Sequence, residues 1–450
     1  MNLNEIHRVY FIGIGGIGMS ALARYFNRLG KVVSGYDKTP TPLTDELYNE
    51  GISSHFVDDI SYIPEVFLDK ENTLVVITPA IPSNHQEWNF FQSGGYLIKK
   101  RSEVLGFITK ETYCFAIAGT HGKTTTSAIL GHILHQSGVE VTAFLGGIVN
   151  NYNSNIIGEG AKVTVVEADE FDRSFHQLYP NKACVTSMDA DHLDIYGDKD
   201  AFEESFREFA IRVPTEDLFV PIHVPLNGNH LGIGEKSTFY IPEVSIENGV
   251  YVFDVITPRQ VLKNLKIQLP GRHNLMNTLT AVSMAESYGV SEENIRKSLS
   301  SFEGIQRRFS FQINSEELVY IDDYAHHPTE INAVYQAVKE LYPDRKILVI
   351  FQPHLFSRTR DFVDDFAESL SQFDEIALME IYPAREMPIP GVNAQWLLNK
   401  IENKNKKLVD ENNVLSTVGD STAKVILTLG AGDISNWVEP IKKRLHEKVL

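Results

Sequence analysis

The sequence predicts an α/β protein of three domains, with a Rossmann-like domain at each end and a P-loop domain between them. Three observations predict it. Arg8-Val-Tyr-Phe-Ile12 runs into Gly13-Ile14-Gly15-Gly16-Ile17-Gly18-Met19, a G-x-G-x-x-G turn between a β-rich run and a helical pattern. The apolar run 113–118 leads into Gly119-Thr120-His121-Gly122-Lys123-Thr124-Thr125, a second glycine turn that opens a helix. Beyond both, β-rich and helical runs alternate to the C-terminus, the pattern of mostly parallel sheets. At 450 residues the chain exceeds what one core organises, and the expected segments are 1–103, 104–308 and 309–450.

In the first segment the helical pattern after Gly18 stops at Gly30, a C-cap glycine. Residues 31–36 read as a second strand ending in Asp37, about twenty positions after the turn, as dinucleotide sites require. Residues 73–78 supply another buried strand, closed by the rigid loop Thr78-Pro-Ala-Ile-Pro82. The segment should bind a dinucleotide or nucleotide diphosphate.

In the second segment, the backbone N–H groups of the 119–125 turn and the positive end of its helix face a phosphate. Lys123 can neutralise terminal phosphates, and the Thr124 hydroxyl can hold Mg²⁺. Ile117 stands where the longer P-loop has its first glycine, so this is the shortened G-x-x-G-K-T form. Residues 141–145, 163–167 and 183–187 read as strands. Sites gather at their carboxyl ends, where Glu167-Ala-Asp169-Glu170 and Asp189-Ala-Asp191-His192-Leu-Asp194 fall. The β-rich interval 237–269 reads as an antiparallel extension, and Gly271-Arg-His-Asn274 opens a helix to Tyr288.

The third segment follows Gln306-Arg-Arg-Phe309. Strands are expected at 319–323, 346–351, 375–380 and 424–429, with helices at 328–340 and 360–370. Gly430-Ala-Gly-Asp433 reads as another phosphate-capable turn, and 400–413 as a charged surface interval.

Against 59 acidic residues there are 41 basic ones, a formal charge of −18, which argues against nucleic acid or anionic membranes as partners. The two cysteines, Cys114 and Cys184, lie in apolar strands and should be buried thiols rather than a disulfide framework. The chain has no signal-peptide core and no run of ~20 apolar residues, so a cytoplasmic protein without membrane insertion is expected, a monomer or weak dimer.

Gly119–Thr125, Glu167–Glu170, Asp191–Asp194, Gly271–Asn274, Asp322-Asp-Tyr-Ala-His-His-Pro328 and Phe356-Ser-Arg-Thr-Arg360 occur in this order across the whole chain. Together with Gly13–Met19 and Ile381-Tyr-Pro-Ala-Arg385, they resemble the ATP-dependent Mur ligases of peptidoglycan precursor synthesis. The resemblance implies a UDP-binding first domain, an ATPase-like central domain and an amino-acid-binding last domain. It further implies that ATP phosphorylates the lactoyl carboxylate of UDP-N-acetylmuramate and that L-alanine attacks the acyl phosphate. Gly15, Gly16, Ile17, Gly18 and Met19, with Asp37, would hold the UDP-sugar. Gly119 to Thr125, His273, Asn274, Asn277, Arg308 and Asp323 would hold ATP. Thr124, Glu167 and His192 would take Mg²⁺, and His326, Arg358 and Arg360 the amino acid. Lys123, His192, His326 and Arg358 form the expected catalytic set.

Two departures stand out. Leu355 replaces an arginine common in relatives, and the helical run 201–212 carries Arg207 but no lysine, so no carbamylated lysine is expected. The rivals are a recycling ligase that attaches a tripeptide to the same sugar, a folate polyglutamate ligase, an NAD-dependent oxidoreductase and a silent nucleotide-binding regulator. The first shares every nucleotide motif. The oxidoreductase reading leaves Lys123, Glu167 and His192 unexplained.

Overall fold

The computed structural model describes residues 3–189, 196–247, 249–384 and 386–449. Its first sheet has the order Ser53–His55, Val32–Tyr36, Arg8–Ile12, Thr73–Ile77, Leu97–Lys100, all parallel, with the β-branched and aromatic runs as the three central strands. The chain leaves Arg8–Ile12 to one side first and returns on the other, so a topological switch point lies at Ile12. Ligands of open α/β sheets bind at such crevices. The Gly13–Met19 turn fills this one and opens the helix Ile17–Arg28.

The central sheet has eleven strands. Tyr113–Ala118 lies between Lys182–Val185 and Val163–Glu167, so the phosphate loop emerges with carboxylates from both neighbours beside it. The expected extension is present as Phe239–Ile241, Val244–Glu247, Val250–Ile256 and Val261–Ile267. The last three pair antiparallel, while Phe239–Ile241 joins Asn229–Ile233 in parallel.

The third sheet runs Ser310–Asn314, Val319–Asp323, Val425–Leu429, Ile347–Phe351, Glu375–Leu378, Lys406–Leu408. Only its first strand is antiparallel. Lys406–Leu408 is an edge strand inside the interval expected to be plain surface.

Three details differ from expectation. The helix Arg101–Lys110 spans the expected boundary after residue 103, because its apolar face packs Val104, Leu105 and Ile108 into the core. The expected helix at 360–370 is two helices, Phe356–Asp361 and Val363–Ser371, broken at Phe362. The Gly430–Asp433 turn is not open to a phosphate. The Gln352 side chain fills it, donating to Asp433 Oδ1 at 2.6 Å and accepting from the Ile434 N–H at 2.9 Å.

Apolar packing distributes unevenly. One buried cluster joins the Ile17–Arg28 helix (Met19, Ala23, Phe26) to Phe144, Ile156 and Phe175 of the central domain. The clusters on the two faces of the third sheet contain residues 309 and beyond only. Cys114 and Cys184 are free and buried, and burial pushes the Cys114 thiol up to about 12. Among the described residues no helix is long and apolar enough to cross a membrane.

Candidate functional site

The phosphate loop is shaped by two left-handed glycines. A Cβ on Gly119 (φ +128°) would stand 2.0 Å from Thr186 Oγ1, and one on Gly122 (φ +82°) 2.4 Å from Asn277 Oδ1. Only glycine fits either place. Lys123 opens the following helix and turns its ammonium back to Gly119 O and to Glu170 Oε2, each at 2.7 Å. Burial opposes that charge, but Glu170 and Asp169 outweigh it and hold the Lys123 pKa above its ordinary value. The Thr124 hydroxyl donates to Glu167 Oε2 at 3.0 Å, and Gly146 N–H to Glu167 Oε1 at 2.5 Å. Burial raises the Glu167 carboxyl, against the pull of Gly146 and Lys123. A hydroxyl and a desolvated carboxylate side by side are hard oxygen donors suited to Mg²⁺. Among the described residues no group of three or more His, Cys, Asp or Glu comes together as a metal cage. The expected ligand His192, with Asp191 and Asp194, lies outside the described residues.

A cavity of about 470 Å³ opens from this loop between the central and third domains. His121, Gly122, Thr125, Asn274, Asn277 and Arg308 line it, with His273 and Asp323 beside them. The two asparagines come from one face of the helix Arg272–Tyr288, where Asn274 Nδ2 donates to Pro270 O. Burial pushes His273 down to about 4, so its imidazole is neutral. Asp323 accepts the backbone N–H groups of Phe309 (2.6 Å) and Ala325 (2.7 Å). Burial pushes it up to about 6, against the Arg308 charge. Arg308 lies over the Tyr324 ring, 5.0 Å from its centroid. Thr120 stays outside the cavity lining and donates to Asp189 O at 2.7 Å.

Glu330 ties the two walls of the cleft together. It sits in the capping box of the helix Pro328–Leu341 and accepts the His326 N–H at 2.9 Å. Across the domain boundary it meets His121 Nδ1 at 3.2 Å, while Asp189 stands 3.3 Å from His121 Nε2. Burial works against a charged His121, but these two carboxylates push it up to about 9. Burial alone would also raise Glu330; the charged His121 and Arg308 beside it hold it below the usual range.

At the carboxyl ends of the third sheet, His326 Nδ1 lies 2.9 Å from Tyr324 O. A carbonyl only accepts, so Nδ1 carries the proton and Nε2 presents a lone pair. Burial pushes His326 down to about 3. The His354 ring lies 5.9 Å from it and stacks on Tyr382, and Arg358 Nη1 is 3.3 Å from His354 Nδ1. Arg358 is buried at 5% exposure. Arg360 is not brought to this cluster. Its side chain is 52% exposed and pairs with Asp361 at 2.7 Å. Leu355 holds φ +75°, a left-handed conformation between His354 and the helix that carries Arg358. Arg385 lies outside the described residues. Arg207 is surface-exposed and paired to Glu203 and Glu204, away from the site.

At the first switch point, Gly15 N–H donates to Asp37 Oδ2 at 2.8 Å, so Asp37 braces the turn from behind. Gly16, Ile17, Gly18 and Met19 begin the helix there. Arg101 packs on Gly18, where a Cβ would come 2.6 Å from Nη1, and reaches Asp169 at 3.5 Å. Arg101 and Glu330 were not singled out by sequence reasoning. The signal for Glu330 was available, since His327-Pro-Thr-Glu330 has capping-box spacing.

Three family models cover the chain: Mur ligase family, catalytic domain, over residues 8–113; Mur ligase middle domain over 117–285; and Mur ligase, glutamate ligase domain, over 307–435. A UDP-N-acetylmuramate–L-alanine ligase of Flavobacterium psychrophilum is 64% identical over 449 residues, covering 100% of each chain. The chain belongs to the Mur ligase family. The crystal structure of a UDP-N-acetylmuramate–alanine ligase from Thermotoga maritima matches this Mur ligase with a TM-score of 0.82 and 27% identity, over 98% of this chain and 99% of that one. A murein peptide ligase from Psychrobacter arcticus matches at TM-score 0.69 and 21% identity, over 98% of each, a likeness of fold.

Proposed function

We propose that this Mur ligase joins L-alanine to the lactoyl carboxylate of UDP-N-acetylmuramate at the expense of ATP. The observation that carries the reading is full-length 64% identity to a relative named for that reaction, on a chain whose cleft is lined by the phosphate loop, Asn274, Asn277 and Arg308.

A carboxylate does not accept an amine at neutral pH, so it must first be activated. A carboxylate oxygen attacks the γ-phosphorus and ADP departs, leaving an acyl phosphate. Lys123, already protonated, exchanges Glu170 for the β- and γ-phosphates. Thr124 and Glu167, with His192 from the sequence, would hold Mg²⁺, which would neutralise charge developing on the phosphate oxygens. Asn274 and Asn277 suit the adenine edge, His273 the same cleft, Asp323 the ribose, and Arg308 the γ-phosphate.

The amine of L-alanine then attacks the acyl carbon. The tetrahedral species expels phosphate, which carries away the former carboxylate oxygen, and the amine loses a proton to leave the amide. The Arg358 guanidinium suits the alanine carboxylate, and the His326 Nε2 lone pair can accept from its amine. Within the Gly15–Met19 turn, Ile17 and Gly18 at the helix start suit the UDP diphosphate with their N–H groups, while Gly15 donates to Asp37. ATP and a nucleotide sugar as substrates fit a cytoplasmic reaction.

Purified protein should release ADP only when UDP-N-acetylmuramate, L-alanine and Mg²⁺ are all present. Assays with glycine, L-serine and the cell-wall tripeptide decide the acceptor. Release with the tripeptide alone would replace the alanine reading by the recycling one.

A further inference from the structure

We infer that Asn155 of the central domain is a positioning residue for the UDP-sugar, acting through the start of the Ile17–Arg28 helix. The inference rests on the reading of Gly13–Met19 as the diphosphate turn. Asn155 lies on the strand Ser154–Ile157 and is fully buried. Its amide donates to Ile17 O at 2.5 Å and to Ser20 Oγ at 2.9 Å, and its carbonyl accepts from Arg24 Nη1 at 2.5 Å. Every one of these partners belongs to the N-terminal domain, and Ile17 belongs to the turn itself.

Arg24 is only 1% exposed, and its charge is met by Glu50 at 2.9 Å and Glu46 at 3.0 Å. The far side of the network is equally anchored. Ser154–Ile157 pairs with Val141–Val149, which pairs with Val163–Glu167, the strand ending in Glu167. Gly146 of Val141–Val149 donates to that same Glu167. A short hydrogen-bonded route therefore runs from the N-terminal turn to the Glu167 carboxylate. It fixes where the turn's N–H groups point relative to the phosphate loop. Ile17 O keeps one donor in the Ser20 hydroxyl at 3.0 Å, so losing Asn155 removes its shorter contact and the tie to the central domain, and the turn should loosen.

A control lies on the same helix. Arg28 reaches Gly158 O at 2.9 Å and Glu159 at 3.7 Å, crossing the same boundary but far from the turn. Asn155→Asp keeps an acceptor for Arg24 and removes the donor to Ile17 and Ser20, and a thermal scan beside that of Asn155→Ala checks that each variant is folded. Calorimetric titration with UDP-N-acetylmuramate, without ATP, should give about tenfold weaker binding for Asn155→Asp and for Asn155→Ala. ATP binding should stay within about twofold, and Arg28→Ala should bind the UDP-sugar as wild type does. Unchanged affinity in Asn155→Asp would overturn the inference. An equal loss in Arg28→Ala would also overturn it, reducing Asn155 to boundary glue. Failure of the wild-type protein to bind UDP-N-acetylmuramate would instead count against the proposed function.

Discussion

The junction between the N-terminal and central domains is apolar and continuous, whereas that between the central and third domains is polar and encloses the cleft. At the first, Met19, Ala23 and Phe26 share one buried cluster with Phe144 and Ile156, and Arg24 and Asn155 seal it. At the second, among the described residues, no apolar cluster on the third sheet includes a central residue. His121, Glu330 and Arg308 meet there across a cavity of about 470 Å³. Packed cores do not deform gradually, while polar contacts can exchange for ligand or water. The difference predicts that the first two domains stay together and that the third is the one to close on ligands, which scattering with and without ATP and the UDP-sugar checks.

The largest expected effect falls at the polar junction, where the chemistry lies. Lys123→Ala should lower ADP release by ~10³-fold or more, since one preorganised cation at the transferring phosphoryl group is lost. It also leaves Glu170 buried without its partner, so a thermal scan should record a modest loss of stability rather than none. Turnover near wild type would refute the role of Lys123.

The next effect tests the fixed junction. Arg24→Met removes a buried charge from Asn155 and from Glu46 and Glu50, whose carboxylates stay partly open to water, and should cost about 1–2 kcal/mol. Differential scanning should report it as a lower first transition, without separation of the two domains in scattering. A scattering profile that expands would break the comparison.

Glu330→Gln should open the second junction. Small-angle scattering should give a larger radius, and KM for ATP should rise about tenfold. The effect depends on pH. His121 has a folded pKa of about 9 against an ordinary 6.5, so its pairing contributes fully below 6.5 and is lost as pH rises through 9. The gap in denaturant stability between wild type and Glu330→Gln should therefore shrink from pH 6 to pH 10. A gap that widens with pH would contradict the pairing.

The smallest effect is at Arg360. Arg360→Ala should change KM for L-alanine by about twofold at most, because exposed pairs contribute little. Arg358→Ala should cost roughly a hundredfold in kcat/KM.

Arg360 also illustrates what the sequence did and did not hold. In a helix, residues two apart point to different faces, so Arg358 and Arg360 could not both face one ligand. That signal was present and unused. The phosphate loop and the first glycine turn were legible because their chemistry is local: strand, turn and helix adjoin in sequence. The Gly430–Asp433 turn misled because what fills it, Gln352, comes from the end of another strand. Asn155 stands in a stretch with Asn150, Asn151 and Asn153 that reads as a polar turn, and its worth appears only when the Ile17–Arg28 helix docks there. Glu330 owes its weight to His121, 209 positions away.

The central claim is that ATP activates the sugar's carboxylate before the amine attacks. UDP-N-acetylmuramate labelled with ¹⁸O in the lactoyl carboxylate tests it, with the released phosphate analysed by mass spectrometry. The account predicts one labelled oxygen in each phosphate formed with L-alanine. Unlabelled phosphate, released while the amide forms, would contradict it.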